Sequence, residues 1–111
     1  MSDSFQDARK IAFDWYQVNA LRTAAVNGTY PEKWYLALGL AGESGEVTEI
    51  IKKHYRHGKE LNTEHLREEL GDVLWYVTVL AASNGIDLYE VAEANIEKLR
   101  KRYPEGFVQR G

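Results

Sequence analysis

The chain contains no cysteine, which removes disulfides, thiolate metal sites and cysteine nucleophiles in one step. Proline is scarce, with only Pro31 and Pro104, and β-branched runs are few, so the composition leans toward helix. No apolar run approaches the roughly 18 residues that a membrane span needs, and Met1–Lys10 lacks the apolar stretch of a signal peptide. A soluble, cytoplasmic chain with no membrane partner is therefore expected. There is no excess of basic charge: 14 Lys and Arg face 17 Asp and Glu, for a formal net charge of −3. That balance argues against a nucleic-acid partner, while a local basic pocket for a small polyanion stays compatible with it. The 111 residues are 44% hydrophobic and rich in Trp and Tyr, enough for one folded domain over residues 1–111.

Four amphipathic segments follow from the spacing of apolar residues and the turn signals between them. The first spans about Ser4 to Val26, with Phe5, Ala8, Ala12, Trp15 and Leu21 near helical spacing, and stops at Asn27-Gly28-Thr29-Tyr30-Pro31. The second spans about Glu32 to His57, closed by Gly58. The third begins after Asn62 or Thr63, each a good N-cap, and runs to Ser83 before Asn84-Gly85. The fourth opens at Asp87-Leu88-Tyr89-Glu90, a capping-box spacing, and ends before Pro104. The expected architecture is an all-α, four-helix module. Its third helix is apolar nearly all round through Leu66, Leu70, Val73, Leu74, Trp75, Val77, Leu80 and Ala81, so it must be surrounded. Four helices of this length surround one of their number only with difficulty, which predicts a homo-oligomer, dimer or tetramer, that completes the core. Gly39, Gly42 and Gly45 recur every three residues in the second helix, at about 1 kcal/mol each against Ala, and predict close approach by a neighbouring helix or ligand.

The acids interrupt the apolar stripes. Leu36, Gly39, Glu43, Glu46, Ile50 and Lys53 share one face of the second helix. On the third, Glu69, Asp72, Tyr76 and Val79 form a line beside Leu66, Leu70, Val73 and Val77. Each helix thus presents two carboxylates, three residues apart, at or beside its inward face. Crowded carboxylates repel and lose hydration, at a cost of several kcal/mol when buried unpaired. Lys53 and Lys98 are candidate ion-pair partners. A divalent cation compensates better, and oxygen ligands without His or Cys suit Mg²⁺, with Mn²⁺ as an alternative. Solvated surface acids are the plainer reading of any single Glu-x-x-Glu. A di-iron bundle is excluded, since none of His54, His57 and His65 has a Glu three residues before it; all three read as surface residues near helix ends. On the fourth helix Leu88, Val91, Asn95, Lys98 and Arg102 share a face, which points Asn95 and Lys98 inward. Tyr76 is the aromatic best placed to stack on a base, with Trp34, Gln17 and Asn19 as further candidates to read it.

These residues resemble the MazG-like nucleoside triphosphate pyrophosphohydrolases, of the all-α NTP pyrophosphatase superfamily that also holds dimeric dUTPases and phosphoribosyl-ATP pyrophosphohydrolase. The resemblance covers roughly Tyr35 to Phe107. It is carried by Glu43-Ser44-Gly45-Glu46, by Glu68-Glu69-Leu70-Gly71-Asp72 about two dozen residues later, and by Asn95-Ile96-Glu97-Lys98 with Arg102-Tyr103-Pro104. It implies that Glu43, Glu46, Glu69 and Asp72 are the catalytic Mg²⁺ ligands and that Asn95 and Lys98 contact substrate, with Lys53 a looser match. Some relatives carry an extra acid beside the first ligand; here Gly42 and Ser44 stand there, leaving Glu49 and Glu68 as the nearby acids. The implied reaction is Mg²⁺-dependent hydrolysis of a nucleoside triphosphate, by preference a dNTP, to the monophosphate and pyrophosphate in a small homo-oligomer. Alternatives are phosphoribosyl-ATP pyrophosphohydrolysis and a non-catalytic helical oligomer that binds nucleotide or metal.

Overall fold

A first chain reversal is built from Asn27 and Gly28, both with positive φ (53° and 75°), between Val26 and Thr29, whose backbones exchange hydrogen bonds of 3.1 and 3.0 Å. This Asn-Gly pairing supplies the two left-handed residues of a tight turn. It separates α1 (Ser2–Leu21) from α2 (Lys33–His57), and α3 (Thr63–Ser83) and α4 (Leu88–Arg102) complete an all-helical chain. The computed structural model describes residues 2–106, so Phe107, the last residue of the sequence resemblance, lies outside the described residues.

The helix boundaries have local causes. Gly58 ends α2 in the left-handed conformation, φ 63°, as its position predicts. Asn62 caps α3 by accepting the His65 N–H at 3.1 Å, and Asp87 caps α4 by accepting the Glu90 N–H at 2.8 Å. The first helix departs from expectation: it ends at Leu21 rather than Val26. There the backbone tightens into hydrogen bonds from Thr23 to Ala20 and from Ala24 to Leu21, and the Thr23 hydroxyl donates to the Ala20 carbonyl at 2.7 Å. The freed segment drops Ala24 into the core beside Leu36 and Val79, and Trp75 Nε1 donates to Thr23 Oγ1 at 2.8 Å.

α3 is the central element. α2 lies along it as the long partner of a helical hairpin, while α1 and α4 pack on it and on each other. α2 and α4 do not touch among the described residues. The core is Ala24, Leu36 and Val79, with Leu21, Tyr30, Trp75, Tyr76 and Leu80 packed around it. The buried Thr78 hydroxyl is satisfied by the Leu74 carbonyl at 2.7 Å. At α4 the Gln17 side-chain oxygen accepts the Leu88 N–H at 2.6 Å, and Asn19 donates to the Trp15 carbonyl at 2.8 Å. Both amides proposed as base readers are therefore engaged in structural contacts.

The molecule is a slab of 47 × 46 × 23 Å with a radius of gyration of 17.1 Å. A compact chain of this length has a radius near 13 Å. α3 is accordingly only partly surrounded: Leu70 and Leu74 stay 50% and 40% exposed. Ile11, Trp15 and Val18 on α1 and Ile96 and Leu99 on α4 are exposed as well. Asn95 and Lys98, expected to point inward, are exposed. The amphipathic face of α4 is buried at Leu88 and Tyr89 and opens to solvent beyond them, and α2 makes no contact with α4 to cover it.

Candidate active site

Two of the four motif acids come from α3 and two from α2, and the hairpin brings three of them together. Carboxylate oxygens of Glu43, Glu69 and Asp72 lie within 4.8 Å of one another. Glu43 and Glu69 are half-buried and Asp72 is exposed at the rim. Three acids so close cannot all stay charged without a cation. Glu43 carries the strain: its carboxyl is raised from 4.5 to about 7, first by a hydrogen bond shared with Glu69. Burial and the charges of Glu69, Asp72 and Glu46 add to the rise. The group is built of hard oxygen donors only, a set that fits a divalent cation such as Mg²⁺ or Mn²⁺.

Glu46 stands apart from this group. It is exposed one turn farther along α2, near enough to act on Glu43 through its charge. Its side chain lines a cleft of about 210 Å³ with Lys53, His54, Lys59, Asn62 and His65. Lys53 is thus on the same side as the acids, while Asn95 lines a separate groove between α1 and α4 with Arg9 and Phe13. Lys98 is exposed on α4, which does not contact α2. Neither Lys53 nor Lys98 forms an ion pair among the described residues, so the compensation of the acids by these lysines is not found within one chain. Of the neighbouring acids, Glu49 pairs with Lys52 at 3.5 Å and Glu68 is exposed.

Tyr76 of α3 packs directly against the backbone of α2 at Gly39. A Cβ built on Gly39 would fall inside its ring, 2.8 Å from the hydroxyl oxygen, so the glycine is what admits the tyrosine. Gly42 and Gly45 have nothing within 4 Å of such a Cβ, and the expected close approach is found at Gly39 alone. Burial, Tyr35 and the Glu43 and Asp72 charges all raise the Tyr76 phenol above its ordinary value, which keeps it a neutral donor beside the acids.

Two contributors were not evident from sequence. His65 Nε2 lies 3.4 Å from Glu69 Oε1, one turn away on α3. The i, i+4 spacing of His65 and Glu69 is present in the chain, but a Glu-x-x-His iron motif has the opposite order and a different spacing. Tyr16 on α1 is close enough to Asp72 for that charge, after burial, to raise its phenol. No local pattern links residues so far apart in the chain. His54, near the end of α2, uses Nδ1 to bond the Lys59 carbonyl and so closes the loop between α2 and α3.

The MazG nucleotide pyrophosphohydrolase domain model matches residues 33–107, the stretch that holds all four acids. The Gene 37 protein of Mycobacterium phage L5 is 35% identical over 105 residues, covering 86% of this chain and 92% of that protein. The dCTP pyrophosphatase 1 of Mus musculus is 36% identical over 75 residues, covering 62% of this chain and 44% of that longer protein. No solved structure matches the chain with significance. With a helical hairpin gathering motif acids and a family model that spans most of the sequence, this chain belongs to the MazG nucleotide pyrophosphohydrolase family and is a nucleoside triphosphate pyrophosphohydrolase.

Proposed function

We propose that the chain hydrolyses deoxynucleoside triphosphates between the α- and β-phosphates, with Mg²⁺ (or Mn²⁺) held by Glu43, Glu69 and Asp72 and joined by Glu46. The observation that carries this reading is the convergence of the first three carboxylates within 4.8 Å on one hairpin. These carboxylates would hold the cation, which would supply positive charge to the triphosphate oxygens. The protein's own part is positioning. One acid of the set orients a water in line with the α-phosphorus and accepts its proton as the water oxygen bonds to that phosphorus; the bond from the α-phosphorus to the bridging oxygen breaks and pyrophosphate departs. Lys53, on the cleft beside Glu46, receives the negative charge that develops on the leaving group. Tyr76, seated against Gly39 at the other end of the acids, offers a ring face and a hydroxyl to the base. The mouse relative's name supports a deoxynucleotide substrate.

The assembly belongs to the same reading. Asn95 and Lys98 are exposed on α4, which makes no contact with α2 among the described residues, so in this reading a second copy brings them to the acids. The unfilled face of α3 and the exposed apolar residues of α1 and α4 support a homo-oligomer for the same reason.

The test is product identification. Wild-type protein with Mg²⁺ and each dNTP and NTP is expected to yield monophosphate and pyrophosphate, resolved by anion exchange. Glu69→Gln and Asp72→Asn should each lose at least about 100-fold in turnover with helix content intact. Full activity in either variant would remove that residue from the site. Release of inorganic phosphate and a diphosphate would mean that the β–γ bond is cut instead.

A further inference from the structure

Glu69 has its side chain only 16% exposed, and it faces Glu43 on one side. A carboxylate so far removed from water needs a fixed donor to keep both its charge and its direction. The Glu43 hydrogen bond serves only while a proton lies between the two acids, and that proton has to leave when a cation binds. His65 is different. It sits on the same face of α3 one turn before Glu69, and Nε2 lies 3.4 Å from Oε1. Its backbone is pinned by the Asn62 cap at 3.1 Å, so the ring springs from a fixed point in the first turn of the helix. At this distance a neutral imidazole with its hydrogen on Nε2 needs only a small approach to donate to Glu69, with no change of charge.

We propose that His65 is a positioning residue for Glu69: it holds one carboxylate oxygen by its Nε2–H and so presets the acid for cation binding. The inference rests on the metal reading of the Glu43, Glu69 and Asp72 group. Metal-ligating carboxylates are commonly held by such outer partners, whose loss weakens affinity by about 10- to 100-fold.

The experiment is direct binding of Mn²⁺ to the full chain, without nucleotide and at one fixed pH, followed by the electron paramagnetic resonance signal of the free ion. His65→Ala is expected to weaken binding by at least about tenfold with unchanged circular dichroism. His65→Gln, which keeps an N–H donor on a stem of similar reach, should stay within about threefold of wild type. Should His65→Ala lose helix content, His65→Leu fills the space without a donor and carries the same expectation. Wild-type affinity in these donor-free variants overturns the proposal, and so does equal weakening in His65→Gln, which would assign the loss to packing. Absence of Mn²⁺ binding by the wild type, or unchanged binding in Asp72→Asn, overturns the metal reading itself, a distinct failure.

Discussion

Glu43 keeps a proton near neutrality because Glu69 shares it, because the packed helices withhold water, and because three other acids surround it. Two pH dependences follow, of opposite sense. Cation binding displaces the proton, so Mg²⁺ affinity should rise as pH climbs toward about 7 and level off above it; calorimetric titrations across that range check this. In the metal-free protein the folded carboxyl holds its proton more tightly than the unfolded chain, where the ordinary value is 4.5. Its contribution to stability is therefore full below 4.5 and lost as pH rises through about 7. The melting temperature without metal should fall over that interval, and Glu43→Gln should flatten the fall. The convergence of Glu43, Glu69 and Asp72 was legible because helical spacing alone puts them on shared faces, whereas the separation of Glu46 from them was not. The exposure of Asn95 and Lys98 was not, because their surroundings depend on which helices come near α4.

At the scale of elements, the α2–α3 hairpin depends on one missing side chain. Gly39→Ala would push a methyl group into the Tyr76 ring and should destabilise the protein by about 1–3 kcal/mol, seen in chemical denaturation. The displaced ring should also raise KM for nucleotide more than it lowers kcat. Sequence spacing could not distinguish Gly39 from Gly42 and Gly45, since the discriminating neighbour comes from another helix. The caps Asn62 and Asp87 and the left-handed Gly58 were legible because they are local chemistry, closed within four residues. The end of α1 was not. Arg22 to Val26 contains no breaker, and the helix stops where Ala24 enters the core and Trp75 claims the Thr23 hydroxyl.

The whole molecule is thinner and wider than 111 residues need be, 23 Å in its short dimension. Sedimentation velocity should find at least two copies per particle, and Trp15→Glu, on an exposed apolar face of α1, should dissociate them. If α4 of one copy serves the acids of another, mixing inactive Asp72→Asn with inactive Lys98→Ala should restore part of the turnover, since some sites then draw only intact residues. The incomplete covering of α3 was legible in its all-round apolar pattern, and Leu70 and Leu74 are indeed exposed; what would cover them was not, because contacts between chains leave no local signal. If copies of the chain share a core, as proposed, folding is tied to mass action. Dilution then acts as a denaturant: the melting temperature should drop with protein concentration, and activity per chain should fall once copies part. A cell holding few copies of the protein would thus hold a smaller fraction of it folded and working.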